Sequence, residues 1–287
     1  MLQEAVRSFG LKLDNLLHRG ITDPKTFHIM AFTAFLDASL SLKGRRRLYE
    51  GVLEKVKDLT GHTGARIAAT RLVPYASAVI EEVKREVKGA SIAEEGSTAW
   101  VIRDVASSIK REVDGVFVID AFSVIEFATL LATCRRNGFM CELRRQVFVN
   151  PPGKTDFVKR QVGKGQVRGW LRDYASKLAE EVECGRNYEV YPLFDEALHW
   201  TVGDVVCFLE GEGGRNPFEL VWEQILNFFH RLDVVPFTLL VTSDHGYNIF
   251  EENGILSVGH GGGEHALLGL DRVALFAVLK KRSGVWL

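Results

Sequence analysis

Val116-Phe117-Val118-Ile119-Asp120 is the stretch from which the fold is read. Four apolar residues in a row, ending on a carboxylate, read as a strand buried in a sheet. A helix is predicted from about Val124 to Arg136, and Asn137-Gly138 turns the chain into a second strand, Met140 to Val149. Further apolar runs follow at Tyr188–Leu193, Phe237–Thr242 and Val273–Leu279, with a helix around Phe218–Leu232. Strand and helix in alternation predict an α/β domain, residues 114–287, with a mostly parallel sheet flanked by helices. Upstream of Asp114-Gly115 the texture is different. Residues 1–113 show apolar positions at helical spacing, for example Leu53, Val56 and Leu59, with a charged face at Glu81, Glu82, Lys84 and Arg85. They predict an all-helical N-terminal region, broken at Asp23-Pro24 and Thr63-Gly64 and loosening between Gly89 and Thr98.

Bulk composition narrows the classes. The chain is 46% hydrophobic and 25% charged, which is ordinary for a folded domain, and its net charge of -1 gives no global pull toward nucleic acid or anionic membrane. Arg45-Arg46-Arg47 is a local exception and weak by itself. The cysteines Cys134, Cys141, Cys184 and Cys207 form no CxxC pair, which argues against a zinc ribbon. No apolar run approaches the roughly 20 residues that span a bilayer. A cytoplasmic protein with reduced thiols and no membrane contact is expected.

In parallel sheets, ligands collect at the carboxyl ends of the strands. There the sequence delivers Asp120; Asp195 with His199 four residues on; Ser243-Asp244-His245-Gly246; and His260, in Gly259-His260-Gly261-Gly262. Carboxylate and imidazole suit Zn²⁺, Mn²⁺ or Fe, and the set exceeds what one metal needs. Two cations about 4 Å apart could clamp the attacking and leaving oxygens of a phosphoryl group. Each residue also has a plainer reading. Asp120 alone could cap a helix, and Asp195 with His199 could simply pair on one helix face. His18, His28, His62 and His230 are read as structural, on helical surfaces or edges.

In chain order, Val116–Ala121, Asp195–His199, Thr242-Ser243-Asp244-His245-Gly246 and His260-Gly261-Gly262 resemble the alkaline-phosphatase superfamily, and within it the PglZ-type domain. The resemblance covers about Asp114 to Leu287. It implies an alkaline-phosphatase-like fold and a metal-dependent phosphoryl hydrolase with two divalent ions, Zn²⁺ or Mn²⁺. One ion would be held by Asp120, Asp244 and His245 together with the nucleophile, the other by Asp195, His199 and His260, with His265 as an alternative ligand. It also implies a Thr or Ser nucleophile in a loop at a helix start, and Thr155 in Asn150-Pro-Pro-Gly-Lys-Thr155 fits that place. A hydroxyl whose pKa a nearby ion lowers needs no separate general base. Alternatively, Thr155 caps the next helix. The family's Arg after the first Asp is missing, since Ala121-Phe122-Ser123 stands there, and the insert Asp204–Gly214 has no assigned role.

Between Glu142 and Arg172 eight Lys and Arg face two acids. Lys154, Lys159 and Arg160 flank Thr155 and would draw in a polyanion and stabilise the phosphoryl charge. Gly163, Gly165 and Gly169 could make this segment a lid, and Trp170 and Tyr174 could stack a base or pack in a helix interface. The expected substrate is a phosphodiester, a nucleotide or oligonucleotide. A phosphomonoesterase or mutase-like enzyme is the alternative. So is a non-catalytic partner module of a phage-defence or signalling assembly, docking a protein partner through the N-terminal helices.

Overall fold

The computed structural model describes residues 23–42, 95–144, 148–150, 153, 155, 157–158, 170–200, 204–232, 237–252, 255–260, 271 and 273–281. Among them, α1 (Pro24–Leu42) and α2 (Glu95–Ser108) precede the first strand, β1 (Gly115–Ile119). Then come α3 (Val124–Arg136), β2 (Phe139–Leu143), β3 (Phe148–Val149), α4 (Trp170–Val182), β4 (Tyr188–Tyr191) and α5 (Leu193–Trp200). They are followed by α6 (Val205–Glu210), α7 (Pro217–Arg231), β5 (Thr238–Ser243), β6 (Asn248–Glu252), β7 (Ile255–Gly259), β8 (Val273–Ala274) and β9 (Phe276–Lys281).

The main sheet has the order β2-β9-β5-β1-β4. β1 pairs in parallel with β4 and β5, whereas β9 runs antiparallel between β5 and β2. The sheet is therefore mixed α/β, with two parallel and two antiparallel pairings rather than the mostly parallel ladder expected. Its alternating side chains feed two cores, which explains the uninterrupted apolar runs. Phe117, Ile119, Leu239 and Val241 face α1, α3 and α7. Val116, Val118, Leu240 and Phe276 face α2 and α4.

Several predicted strands are shorter than the apolar runs that suggested them. Tyr188–Leu193 stops at Tyr191, because Pro192 has no amide hydrogen for the ladder and α5 begins one residue later. Met140–Val149 and Val273–Leu279 each break in two. β3 and β8 pair with each other in a small separate sheet, and at the second break the Leu275 carbonyl accepts a hydrogen bond from the Thr242 hydroxyl at 2.8 Å. The β6–β7 hairpin was not foreseen.

α1 begins where Asp23-Pro24 predicts a break. The Asp23 carboxylate accepts the Thr26 amide at 2.9 Å, and Pro24 sits where a missing donor costs nothing. Phe27, Phe32 and Phe35 are fully buried in the core shared with β1, α3 and α7, each contributing about 1.5–3 kcal/mol. His28 is fully buried too, not on the helical surface expected of it. The insert Asp204–Gly214 acquires a structural part: Asp204 caps α6, whose Phe208 packs on His28, Phe194 and Tyr247. All four cysteines are free thiols. No helix among the described residues is long and apolar enough to cross a membrane.

Candidate metal centre

The parallel register brings the first cluster together. Ile119 pairs with Ser243 at the carboxyl ends of β1 and β5, so the next residues, Asp120 and Asp244, emerge side by side. His245 follows directly. Its Nδ1 lies 2.8 Å from the Gly246 carbonyl, which can only accept, so Nδ1 donates and Nε2 is turned toward the carboxylates. Nε2 is 3.4 Å from Asp120 Oδ1 and 3.6 Å from Asp244 Oδ2.

A second cluster adjoins it. Ile119 also pairs with Tyr191, and α5, starting just past β4, carries Asp195 and His199 one turn apart on one face. His260 arrives at the end of β7. Asp195 lies 3.4 Å from His199 Nε2 and 2.9 Å from His260 Nε2, and the two imidazole nitrogens are 3.2 Å apart. In each triad, donor atoms converge within 4.8 Å of one another. The His245 and His260 rings, 5.3 Å between centroids, join the triads.

The electrostatics of this rim would suit a cation. Asp244 is fully buried, yet neither carboxylate oxygen has a hydrogen-bond partner among the described residues. A buried anion without donors is costly unless a positive charge compensates it. Burial, then the charges of Asp244 and Asp195, push the Asp120 carboxyl up to about 10. Burial works to raise Asp195 as well, but the hydrogen bond and charge of His260 outweigh it, and its carboxyl lies below the ordinary range. His260 is raised, chiefly by its bond to Asp195. Nitrogen and carboxylate donors in threes match what a divalent ion takes from a protein.

Thr155 is brought to the same rim: its hydroxyl lies 3.4 Å from His245 Nε2, and its backbone is helical. Asn150 Nδ2 donates to the Asp244 carbonyl at 2.9 Å, and the Gly153 amide donates to the Asn150 carbonyl at 2.8 Å, closing a turn ahead of Thr155. Lys154, Lys159, Arg160, the lid glycines and the alternative ligand His265 lie outside the described residues. Tyr174 is buried against Val118 and Leu240, so it packs in the helix–sheet interface and does not stack a base.

One residue was passed over. Asp271, 1% exposed, accepts the Gly246 amide on its carbonyl at 3.1 Å and turns its carboxylate toward Gly153. It precedes a strand instead of following one, so reading strand ends misses it. Gly153 has φ +58°, and a Cβ there would meet Asp271 Oδ2 at 2.7 Å. Gly153→Ala is therefore expected to cost about 1–2 kcal/mol from backbone strain alone. Thermal denaturation measures this, and an unchanged melting temperature would refute it.

No family model matches the chain, and no curated protein matches it.

Proposed function

We propose that the chain is a metal-dependent phosphoryl hydrolase of the PglZ type, with an alkaline-phosphatase-like fold and Thr155 as its nucleophile. The supporting observation is the Thr155 hydroxyl at 3.4 Å from His245 Nε2, where two ligand triads adjoin. Asp120, Asp244 and His245 would hold one divalent ion, and Asp195, His199 and His260 the other, with Zn²⁺ favoured by the donor set and Mn²⁺ next. When bound, such ions neutralise the carboxylates, acidify a hydroxyl or water, and stabilise charge on phosphoryl oxygens. The chain's own contribution is placement. Asn150, tied to Asp244, and Gly153 precede Thr155, whose Oγ attacks phosphorus, while the ester oxygen departs with the bonding pair and takes up the proton the hydroxyl releases. Water then cleaves the Thr155–phosphorus bond and restores the hydroxyl.

Lys154, Lys159 and Arg160 surround Thr155 in sequence and favour an extended anion, so the substrate class is a phosphodiester, a nucleotide or oligonucleotide. The activity belongs to a cytoplasmic setting, where the four free thiols persist. The test is metal content of the purified chain, together with hydrolysis of a chromogenic phosphodiester and monoester by wild type and Asp244→Ala. About two ions per chain and a diester activity lost in the variant are expected. No bound ion, and no turnover after adding Zn²⁺ or Mn²⁺, would end this reading. Faster cleavage of the monoester would replace the substrate class.

A further inference from the structure

A second polar cluster, to which the hydrolysis assigns no part, is linked through Ser123 and Tyr247 to the segments that carry the first triad. His28 of α1, Glu126 of α3, Asn216 ahead of α7 and Tyr247 after β5 meet there, all buried. Asn216 Nδ2 donates to the Leu209 carbonyl at 2.6 Å, and Oδ1 accepts the Phe218 amide at 3.0 Å, which fixes the amide's orientation. Oδ1 therefore accepts from His28 Nδ1, 2.9 Å away. His28 Nε2 is 2.7 Å from Glu126 Oε1, which also accepts the Tyr247 hydroxyl at 2.6 Å. Glu126 Oε2 accepts the Ser123 amide at 3.1 Å and the Ser123 hydroxyl. One carboxyl thus gathers α1, the turn after β1 and the loop after β5.

Two of those segments carry metal-ligand candidates. Tyr247 stands two residues past His245. Ser123 closes the turn that starts at Asp120, and within it the buried Ala121 has φ +58°, a left-handed conformation that persists only where the surroundings enforce it. The enforcing contacts are Ser123 with Glu126, and the Ser243 hydroxyl donating to the Phe122 carbonyl at 2.9 Å.

We infer that His28, Glu126 and Tyr247 are positioning residues of the first triad. Their network holds the Asp120 turn and the Asp244–His245 loop at the separation that makes Asp120, Asp244 and His245 one ligand set. Helix α1 is by this route part of the site. The inference rests on the reading that this triad binds a divalent ion.

Zn²⁺ is titrated calorimetrically into the full chain after chelation, for wild type, Tyr247→Phe, His28→Gln and Phe139→Leu, with the chelated melting temperature of each. Phe139, whose ring contacts are with Trp222 and Phe229, serves as the packing control. Tyr247→Phe and His28→Gln are expected to weaken one of two sites about 10–100-fold, as loss of outer-shell support does, and to leave the other intact. Phe139→Leu lowers the melting temperature with both affinities unchanged. The same titrations in an Asp195→Ala background, which leaves only the first triad, identify the weakened site. Lower melting temperature with unchanged Zn²⁺ affinity in Tyr247→Phe overturns the inference while the metal reading stands. Absence of Zn²⁺ binding by wild type overturns both. If His28→Gln does not fold, Tyr247→Phe, which removes one hydroxyl, decides alone.

Discussion

Asp244→Asn is expected to raise the melting temperature of the chelated protein and to lower its metal content. The two signs have one origin. Asp244 is fully buried with no hydrogen-bond partner on either oxygen among the described residues, and it crowds Asp120. Replacing the carboxylate by an amide removes an unpartnered buried acceptor and supplies a donor to Asp120, and relieving an unsatisfied buried polar group is worth about 1–3 kcal/mol. In a chain of this size that corresponds to at least ~2 °C. With Zn²⁺ present the order reverses, because wild type alone gains binding free energy at that site.

The pH dependence of the chelated protein supplies a second reading of the same variant. The Asp120 carboxyl is pushed from 3.8 up to about 10, by burial first and then by Asp244 and Asp195. An acid raised on folding holds its proton more tightly in the native state. The stability it lends is fully present below pH 3.8 and is lost as pH rises through about 10. Chelated wild type should therefore lose stability across that window, and Asp244→Asn should lose less. A chelated Asp244→Asn protein less stable than wild type, with an unchanged pH slope, would show that the carboxylate is compensated some other way.

Thr155→Ala is expected to abolish ester hydrolysis while both ions stay bound. Loss of a covalent nucleophile costs on the order of 10⁴–10⁶ in turnover. The hydroxyl lies outside both triads, so metal content should hold near the wild-type value. Thr155→Ser, which keeps the hydroxyl, should retain most activity. Rapid-quench trapping of a phosphorylated chain in wild type, absent from Thr155→Ala, would complete the assignment. Wild-type turnover in Thr155→Ala would leave the metals with water as nucleophile and Thr155 as an ordinary helical residue.

What the sequence disclosed is what local pattern can encode. β1 and β5 were legible because their residues are buried on both faces, so one shows as an unbroken apolar run ending on Asp and the other as an apolar-rich run with two threonines ending on Ser-Asp-His. Their parallel pairing then carried the ligands to one rim, and the residues named for both triads do converge there. Facts that depend on distant pairing stayed hidden. Nothing in Phe276–Lys281 announces that it lies antiparallel between β5 and β2. His28 resembles any helical histidine until Glu126 and Asn216, far along the chain, close around it. Asp271 escaped because its contact with the Gly153 turn is set by tertiary packing alone.

The place of β9 has a consequence for biosynthesis. β2 is made early and β5 late, and the strand that joins them comes last of those described, roughly 130 residues after β2 and roughly 30 after β5. At the pace of translation that interval lasts on the order of ten seconds. Throughout it one edge of β2 presents unpaired ladder groups, and one edge of β5 does so from its synthesis onward. A ribosome stalled before Phe276 would thus hold a chain with two open sheet edges, a ready client for chaperones and a seed for aggregation. Synthesis through Lys281 closes both edges with a single strand.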